Sequence, residues 1–344
     1  MKKELLAYIS TRGRYFTTLP SVLFAILNQT KLPDHLIIFD DNEKKEDLRK
    51  NEIYQNIFNL LDLKKISWEV IYGQQKGQHY NHYHVNFLGF KYAWRIDDDV
   101  IPEPNVLENL YNKINSNETI GSVGGSIICP NWNLDINHPE LYKVSGKIND
   151  IFDSQNPQWF IIKKEQEVDH LHCSFIYRTG ITDYNLNLSR CAHREETLFT
   201  WQLKQKGYKN YIIPNAINYH LKSSNGGIRD VEKEMYENDE KIFQTIINLG
   251  FLVVLDSGIG DHIVFKSILP DLKNKYENIT IACCYPFVFE NENLISIEQV
   301  KKIIPIDNYN IYKFMYDNNW NDSLENAYRK KYLWILFYIV KHKN

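Results

Sequence analysis

The sequence is poor in cysteine, lacks a long apolar run and has no excess of charge of one sign. Its five cysteines are an odd number without CxxC spacing, so neither a zinc knuckle nor a disulfide framework is indicated. Lys and Arg number 40 against 43 Asp and Glu, which leaves room only for a local basic patch, so nucleic acid is an unlikely partner. A net charge of −3 with 14% aromatic residues excludes a disordered chain.

The longest apolar run, residues 332–340, is far shorter than the ~20 residues that a membrane-spanning helix needs. This run predicts a terminal helix packed on the protein. Basic residues flank it on both sides, and a membrane-surface anchor is therefore the alternative. The first residues lack the apolar region of a signal peptide. We therefore expect a cytoplasmic protein, with peripheral contact at the inner face of the membrane as an alternative.

Short apolar runs alternate with helical patterns in the first hundred residues. This alternation predicts an α/β domain on a parallel sheet, with strands at 5–10, 36–39, 67–72 and 92–96. Ligands of such sheets bind beyond the carboxyl ends of the strands. Several polar side chains are expected at that rim, namely Thr11, Asp40, Asp41, Asp97, Asp98 and Asp99.

The α/β pattern restarts late in the chain. A charged helix is predicted near 231–248, and a new strand, glycine-containing turn and helix follow from residue 251. We therefore expect a catalytic domain over 1–230, a helical connector over 231–249 and a smaller Rossmann-like half domain over 250–344.

Three consecutive aspartates after an apolar strand are the clearest chemical signal. Asp97 and Asp99 are spaced i, i+2, so both side chains point the same way and can share a divalent cation. An octahedral Mg²⁺ or Mn²⁺ would keep positions open for substrate phosphates. The alternative is a solvated acidic turn or a helix N-cap.

Residues 1–225 resemble a family-2 glycosyltransferase with the GT-A fold. The matching motifs keep their order and spacing across about two thirds of the chain. They are residues 10–14, 28–30, 37–42, 77–81, 95–99, 172–178, 194–197 and 214–220.

The resemblance implies a metal-dependent site for a nucleotide-diphosphate sugar, a UDP-sugar as the first choice. Asp41, or else Asp40, would accept from the nucleotide base, and His220 would complete the metal site. The nucleotide-binding residues implied are Thr11, Arg14, Asp40, Asp41, Gly77, Asn81, Asp97 and Asp98, and the ligands of Mn²⁺ or Mg²⁺ are Asp97, Asp99 and His220.

The reaction implied is inverting transfer of the sugar to a hydroxyl, which requires a carboxylate base. The matching position is Glu196, with Glu195 as the second choice. The alternative is that both carboxylates only complement the N-terminus of a helix. Cys173, in the strand before the acceptor pocket, and Trp132 and Trp159 are further candidates to shape that pocket.

The segment 250–330 resembles the first βα unit of heptosyltransferase-type GT-B enzymes. The matching turn contains Gly258, Gly260 and Asp261, and the resemblance implies that Asp261 faces the acceptor. The second half that binds the sugar nucleotide in those enzymes does not fit in the remaining chain. We therefore expect a truncated accessory domain for acceptor binding or association.

Both resemblances indicate glycan assembly, with a surface polysaccharide or lipopolysaccharide core as the first choice and a glycan or lipid-linked acceptor. Two alternatives stay open from the sequence. One is a glycosyltransferase that acts on hydroxymethylated DNA bases. The other is a non-catalytic protein that binds sugar nucleotides or glycans.

Overall fold

A computed structural model describes residues 4–130, 146–148, 156–223, 226–227, 232–276, 278–304, 306 and 309–333. The chain divides into two compact units. The first comprises Met1–Tyr184, Leu188–Lys204 and Tyr208–Asp239, and the second comprises Asn185–Asn187, Gln205–Gly207 and Glu240–Asn344. The division falls inside one helix, α6 (Lys233–Leu249). The predicted Trp132 lies outside the described residues.

The first unit contains a mixed sheet and five helices before α6 in its described part. The strands are β1 (Leu5–Thr11), β2 (His35–Asp40), β3 (Ser67–Tyr72), β4 (Tyr92–Asp97), β5 (Val100–Pro102), β6 (Ile120–Ile128), β7 (Gln166–Val168), β8 (Phe175–Arg178) and β9 (Lys209–His220). The helices are α1 (Leu19–Leu27), α2 (Glu52–Leu63), α3 (Gln78–Val85), α4 (Val106–Ser116) and α5 (Glu195–Gln205).

The strand order brings the predicted rim together. The sheet runs β3-β2-β1-β4-β8-β6-β9-β5, with β7 paired to β9. Strands β3, β2, β1 and β4 are parallel, and the register places Thr11 beside Asp40 and Ser10 beside Asp97. The carboxyl ends of three neighbouring strands therefore meet at one edge. This α/β arrangement agrees with the fold class predicted from the sequence.

The helices cover the sheet with apolar side chains. Helix α1 buries six residues between Leu19 and Leu27, and α4 buries Val106, Leu107, Leu110 and Ile114. These side chains join one core with the central strands. Burial of each such side chain contributes about 1.5–3 kcal/mol, so this core holds the strand ends in place.

Two strands approach each other closely where β6 contains consecutive glycines. The β6–β9 register shifts between Gly124 and Ser126. A Cβ atom on Gly125 would lie 1.8 Å from the Ala216 carbonyl oxygen. Backbone therefore occupies the space that any side chain at residue 125 would need.

The second unit is a small parallel sheet with helices. Its strands are β10 (Phe251–Leu255), β11 (Ile279–Cys283) and β12 (Asn293–Ile295), and its helices after α6 are α7 (Ile259–Lys275), α8 (Ile297–Lys301), α9 (Ile311–Asp317) and α10 (Leu324–Tyr332). Gly258 precedes α7, and a Cβ on Gly258 or Gly260 would meet nothing within 4 Å. Asp261, in the first turn of α7, accepts a 2.7 Å hydrogen bond from the Tyr312 hydroxyl. The likeness to GT-B enzymes stays a prediction.

The predicted membrane-surface segment is only partly covered, because residues 334–340 lie outside the described part of the chain. Of the helices that are described, none combines the length and apolarity needed to cross a membrane.

We predict that Gly125→Ala destabilises the protein by about 1–3 kcal/mol or more, because the new methyl group collides with backbone that cannot rotate away. The measurement is thermal and urea unfolding. Gly260→Ala is the control, since it adds the same methyl group in open space within a helix and is expected to be neutral or stabilising by up to ~1 kcal/mol. Equal effects of the two substitutions would contradict the prediction.

Candidate active site

A cleft of about 460 Å³ opens beyond the carboxyl ends of β1, β2 and β4. Nine of the residues predicted to bind the donor or the metal or to act as the base line it, namely Thr11, Arg14, Asp41, Gly77, Asp97, Asp98, Asp99, Glu196 and His220. Three others do not line it: Asp40, Asn81 and Glu195. The structure thus brings most of the candidate residues into one cavity.

The two aspartates after β2 have different roles. Asp40 is fully buried and accepts hydrogen bonds from the Tyr15 hydroxyl and from the backbone and side-chain nitrogens of Asn42. Asp41 faces the cleft, and its Oδ1 accepts a 2.9 Å hydrogen bond from the Gln75 backbone nitrogen. Asp41 is therefore the carboxylate of the pair that a ligand can reach, whereas Asp40 anchors the strand end.

Gly77 and Asn81 support the wall of the cleft in different ways. Gly77 has φ +106°, and a Cβ there would lie 2.8 Å from the Arg190 carbonyl oxygen. The wall therefore requires glycine at this position. Asn81 is buried, and its amide nitrogen donates a 2.8 Å hydrogen bond to the Ser10 hydroxyl.

Two of the three consecutive aspartates, Asp98 and Asp99, pair with Arg14. Asp98 forms an ion pair with Arg14 and accepts from the Arg12 backbone nitrogen. Asp99 pairs with the Arg14 guanidinium at 3.1 Å and accepts from the Ser223 backbone nitrogen at 3.1 Å. Arg14 thus lies beneath the aspartates and neutralises part of their charge.

Asp97 is held differently, by the guanidinium of Arg95. The distance between Arg95 Nη2 and Asp97 Oδ1 is 3.1 Å. Burial raises the pKa of Asp97 to about 6, although Arg95 acts in the opposite direction. Asp97 is therefore a carboxylate that gains from a cation placed in the cleft beside it.

The two glutamates that begin α5 face different surroundings. Glu195 is fully buried and contacts Arg95 Nη2 at 2.6 Å, His82 Nδ1 at 3.3 Å and the Gln78 amide at 3.2 Å. Glu196 reaches the cleft, where its side chain is 17% exposed, and contacts Arg95 at 3.3 Å. Of the two, Glu196 is the carboxylate that a substrate can touch.

One guanidinium serves three carboxylates here, so the three do not ionise alike. Burial raises the pKa of Glu195 well above its ordinary value. Burial also opposes ionisation of Glu196, but Arg95 and His172 outweigh it and hold the pKa of Glu196 well below its ordinary value. The shared guanidinium thus leaves Glu195 the more easily protonated of the two and favours the ionised form of Glu196 at the cleft surface.

Cys173, His220 and Asp97 form a cluster with three kinds of ligand atom. The sulfur, a ring nitrogen and a carboxylate oxygen all lie within 4.8 Å of one another. In the part of the chain that the structure describes, no other such cluster of three or more residues is found. Because nitrogen and carboxylate oxygen both suit Mn²⁺ and related ions, this donor set fits a divalent metal.

Several cleft residues had no assigned role in the sequence analysis. They are Arg12, Gln75, Gln78, His172, Arg190, His193, Arg194, Lys222 and, beneath the cleft, Arg95. Trp159 also lines the cleft and stacks on the rings of His172 and His220. The available signal for Arg95 was a charged residue inside an otherwise apolar strand, which requires buried partners.

Comparison with known proteins decides the family. The model of glycosyl transferase family 2 matches residues 7–182, half of the chain. The chain belongs to glycosyl transferase family 2. This is the family that the sequence motifs predicted. A search of curated protein sequences found no match.

Solved structures match this chain at low sequence identity. GalNAc-T7, solved with UDP, GalNAc and Mn²⁺, is 11% identical with a TM-score of 0.51 over 72% of this chain and 48% of the other. TarS 1–349 from S. aureus, solved with UDP-GlcNAc, is 14% identical with a TM-score of 0.48 over 68% of this chain and 64% of the other. This chain thus spans about half of the first and under two thirds of the second. The GalNAc-T7 likeness identifies the fold as GT-A.

We predict that Arg95→Gln shifts the pH dependence of the enzyme. Without the guanidinium the pKa of Glu196 rises, so the carboxylate becomes protonated at higher pH. The acidic limb of kcat/KM for donor hydrolysis should move upward by roughly 1–3 pH units. Arg95→Lys is the control, because it keeps the charge and should move the limb less. If the pH profile of kcat/KM for Arg95→Gln had the same shape as that of the wild type, Arg95 would not control the ionisation of Glu196.

A second prediction concerns stability and Glu195. Because the folded protein raises the pKa of Glu195, its contribution to stability is present below the unfolded value of about 4.3 and is lost as pH rises toward the folded pKa. Gln cannot ionise, so the Tm of Glu195→Gln should rise relative to the Tm of the wild type as pH rises above about 4.3. The exposed Glu69→Gln is the control. A Tm difference that does not change with pH would refute the prediction.

Proposed function

We propose that this glycosyltransferase moves a sugar from a nucleotide-diphosphate donor to an acceptor hydroxyl, with inversion and with a divalent cation. The observation that carries this proposal is the shared cleft of Glu196 and the Asp97–Cys173–His220 cluster. A base that takes a proton and a site for a cation that stabilises the departing diphosphate are the two requirements of such a transfer.

The donor is proposed to be a UDP-sugar. Thr11 and Asp41 lie on one wall of the cleft, where Asp41 can accept a hydrogen bond from a nucleotide base. Basic side chains at the same cleft suit a diphosphate, namely Arg12, Arg190, Arg194 and Lys222. UDP in the GalNAc-T7 structure, the neighbour with the same fold, agrees with this choice.

Glu196 is proposed as the general base. Its pKa lies well below the ordinary value, so it is ionised near neutral pH and holds no proton of its own when an acceptor hydroxyl meets it at the cleft surface. Glu195 is excluded from this role by its burial and instead holds Arg95 and His82 in position. Removal of the proton lets the hydroxyl oxygen attack the anomeric carbon opposite the leaving diphosphate, which gives inversion.

The cation, Mn²⁺ or Mg²⁺, would be held among Asp97, Asp99 and His220. When bound there, it would neutralise charge on the departing diphosphate. The proposed acceptor is a glycan or lipid-linked sugar in surface polysaccharide or lipopolysaccharide assembly. We propose that the second unit is the accessory domain for that acceptor, with Gly258, Gly260 and Asp261 at its turn.

The experiment combines donor binding with turnover. We expect one UDP-sugar to raise the Tm with Mn²⁺ and to lose this effect with a chelator, because ligands stabilise the state that binds them. Glu196→Gln should lower donor hydrolysis by about 10²–10⁴-fold and keep the Tm shift. The exposed Glu69→Gln is the matched control and should keep both. No shift with any nucleotide sugar, or full turnover by Glu196→Gln, would overturn the proposal.

A further inference from the structure

The loop of residues 189–194, which directly precedes α5, brings positive charge to the cleft. Arg190, His193 and Arg194 belong to this loop, and all three line the cavity. Arg190 is exposed, and none of the described residues forms an ion pair or a hydrogen bond with its guanidinium. Because a guanidinium donates parallel hydrogen bonds to phosphate oxygens, this loop suits an anion that carries phosphate groups.

The backbone of the loop has two sharp bends that need support. Ala192 has φ +54° and Arg194 has φ +66°, both in the left-handed region. Residues with a side chain keep such a conformation only where the surrounding contacts hold them. The bends lead the chain directly into α5, whose first backbone nitrogen, that of Glu195, donates to the Ala192 carbonyl at 3.3 Å.

A carboxylate of α6, that of Asp239, provides this support. Its Oδ1 accepts a 2.7 Å hydrogen bond from the Ser189 backbone nitrogen. Its Oδ2 accepts from the Ser189 hydroxyl at 2.9 Å and from the His193 backbone nitrogen at 3.0 Å. One side chain thus joins the first residue of the loop to its fifth. All three residues belong to the first unit.

The surroundings of Asp239 show that the carboxylate depends on these donors. Asp239 is fully buried, and within the described ranges no Lys, Arg or His side chain forms an ion pair with it. A buried carboxylate is unfavourable unless hydrogen bonds satisfy its oxygens. Tyr236, one turn earlier on the same face of α6, stacks on the His193 ring with 3.7 Å between the ring centroids. Two side chains of α6 therefore hold the loop.

This support comes from a part of the chain that the family model does not match. The match ends at residue 182, before both the loop and α6. The loop nevertheless forms a wall of the cleft, since a Cβ on Gly77 would lie 2.8 Å from the Arg190 carbonyl oxygen. The position of the two arginines is therefore a property of this chain's own loop and helix.

We propose that Asp239 is a positioning residue for anion binding, which folds residues 189–194 so that Arg190 and Arg194 present their guanidinium groups to a diphosphate in the cleft. Asp239 does not line the cleft, so it acts through the loop. An amide in its place would turn an N–H group toward the N–H and O–H donors of the loop and leave at least one of them unpaired. That the diphosphate belongs to a nucleotide sugar rests on the proposed function.

The test compares the binding of UDP, inorganic pyrophosphate and uridine to the full chain in excess Mg²⁺. Calorimetry measures the first two, and ligand-observed nuclear magnetic resonance measures the weaker uridine. Asp239→Asn should lower the affinity for UDP and for pyrophosphate by about 10–100-fold, the loss that corresponds to one hydrogen bond to a charged group. The affinity for uridine should stay unchanged, because uridine has no phosphate. A general structural defect would weaken uridine as well.

Two further variants make the comparison specific. Asp169→Asn is the matched control, because Asp169 is also a buried carboxylate of the first unit, accepts a 2.9 Å hydrogen bond from the Ile148 backbone nitrogen and does not line the cleft. It should leave the affinity for all three probes unchanged. Ser189→Ala removes one of the three hydrogen bonds to Asp239 and should lower UDP and pyrophosphate affinity by about 2–10-fold. It keeps the proposal testable if Asp239→Asn does not fold.

A double-mutant cycle tests whether Asp239 acts through the arginines. In an Arg190→Ala background, Asp239→Asn should lower pyrophosphate affinity less than it does in the wild type, since residues that act through one another are not additive. Additive losses, equal losses of UDP and uridine, or unchanged pyrophosphate affinity in both Asp239→Asn and Ser189→Ala would overturn the proposal. So would a wild type that binds neither UDP nor pyrophosphate. A wild type that binds pyrophosphate as tightly as UDP, with the expected loss in Asp239→Asn, would support this proposal and contradict the nucleotide donor.

Discussion

The cluster of three carboxylates around the Arg95 guanidinium is the interaction on which the catalytic face depends. Arg95 and Asp97 come from the end of β4, and Glu195 and Glu196 come from the start of α5, so one buried cation joins two distant parts of the chain. Removal of one partner from such a group leaves uncompensated buried charge, which costs about 3–5 kcal/mol. The same contact thus holds α5 against the sheet and keeps Glu196 ionised.

Much of the fold could be predicted because its signals are local. Apolar runs that end in polar residues mark β1, β2 and β4, and parallel pairing then necessarily gathers their ends at one rim. The local pattern alone does not decide which residue of each acidic pair reaches the cleft, and the preference for Asp41 and Glu196 came from the family resemblance. That choice depends on partners distant in sequence, such as Tyr15 for Asp40 and Arg95 for Glu195.

The three aspartates after β4 also show how far local sequence can predict a site. The i, i+2 spacing predicts that Asp97 and Asp99 share a face, and both line the cleft. The spacing contains no information about Arg14, which pairs with Asp98 and Asp99, or about Cys173, which a positive φ brings to His220. Ligand type at such a site depends on non-local packing. A motif therefore identifies where the site lies, but not all of the residues that meet there.

Because Asp40 and Asp41 have different roles, the sequence of the cleft wall can vary while the strand end stays in place. Asp40 ties down the end of β2 through Tyr15 and Asn42, while Asp41 contributes to the cleft wall beside Gln75. Mutations at Asp41 or Gln75 therefore alter the cavity without removing the contacts of Asp40 that hold the end of β2. Natural variation in ligand preference can accumulate at these two positions while the architecture around them persists.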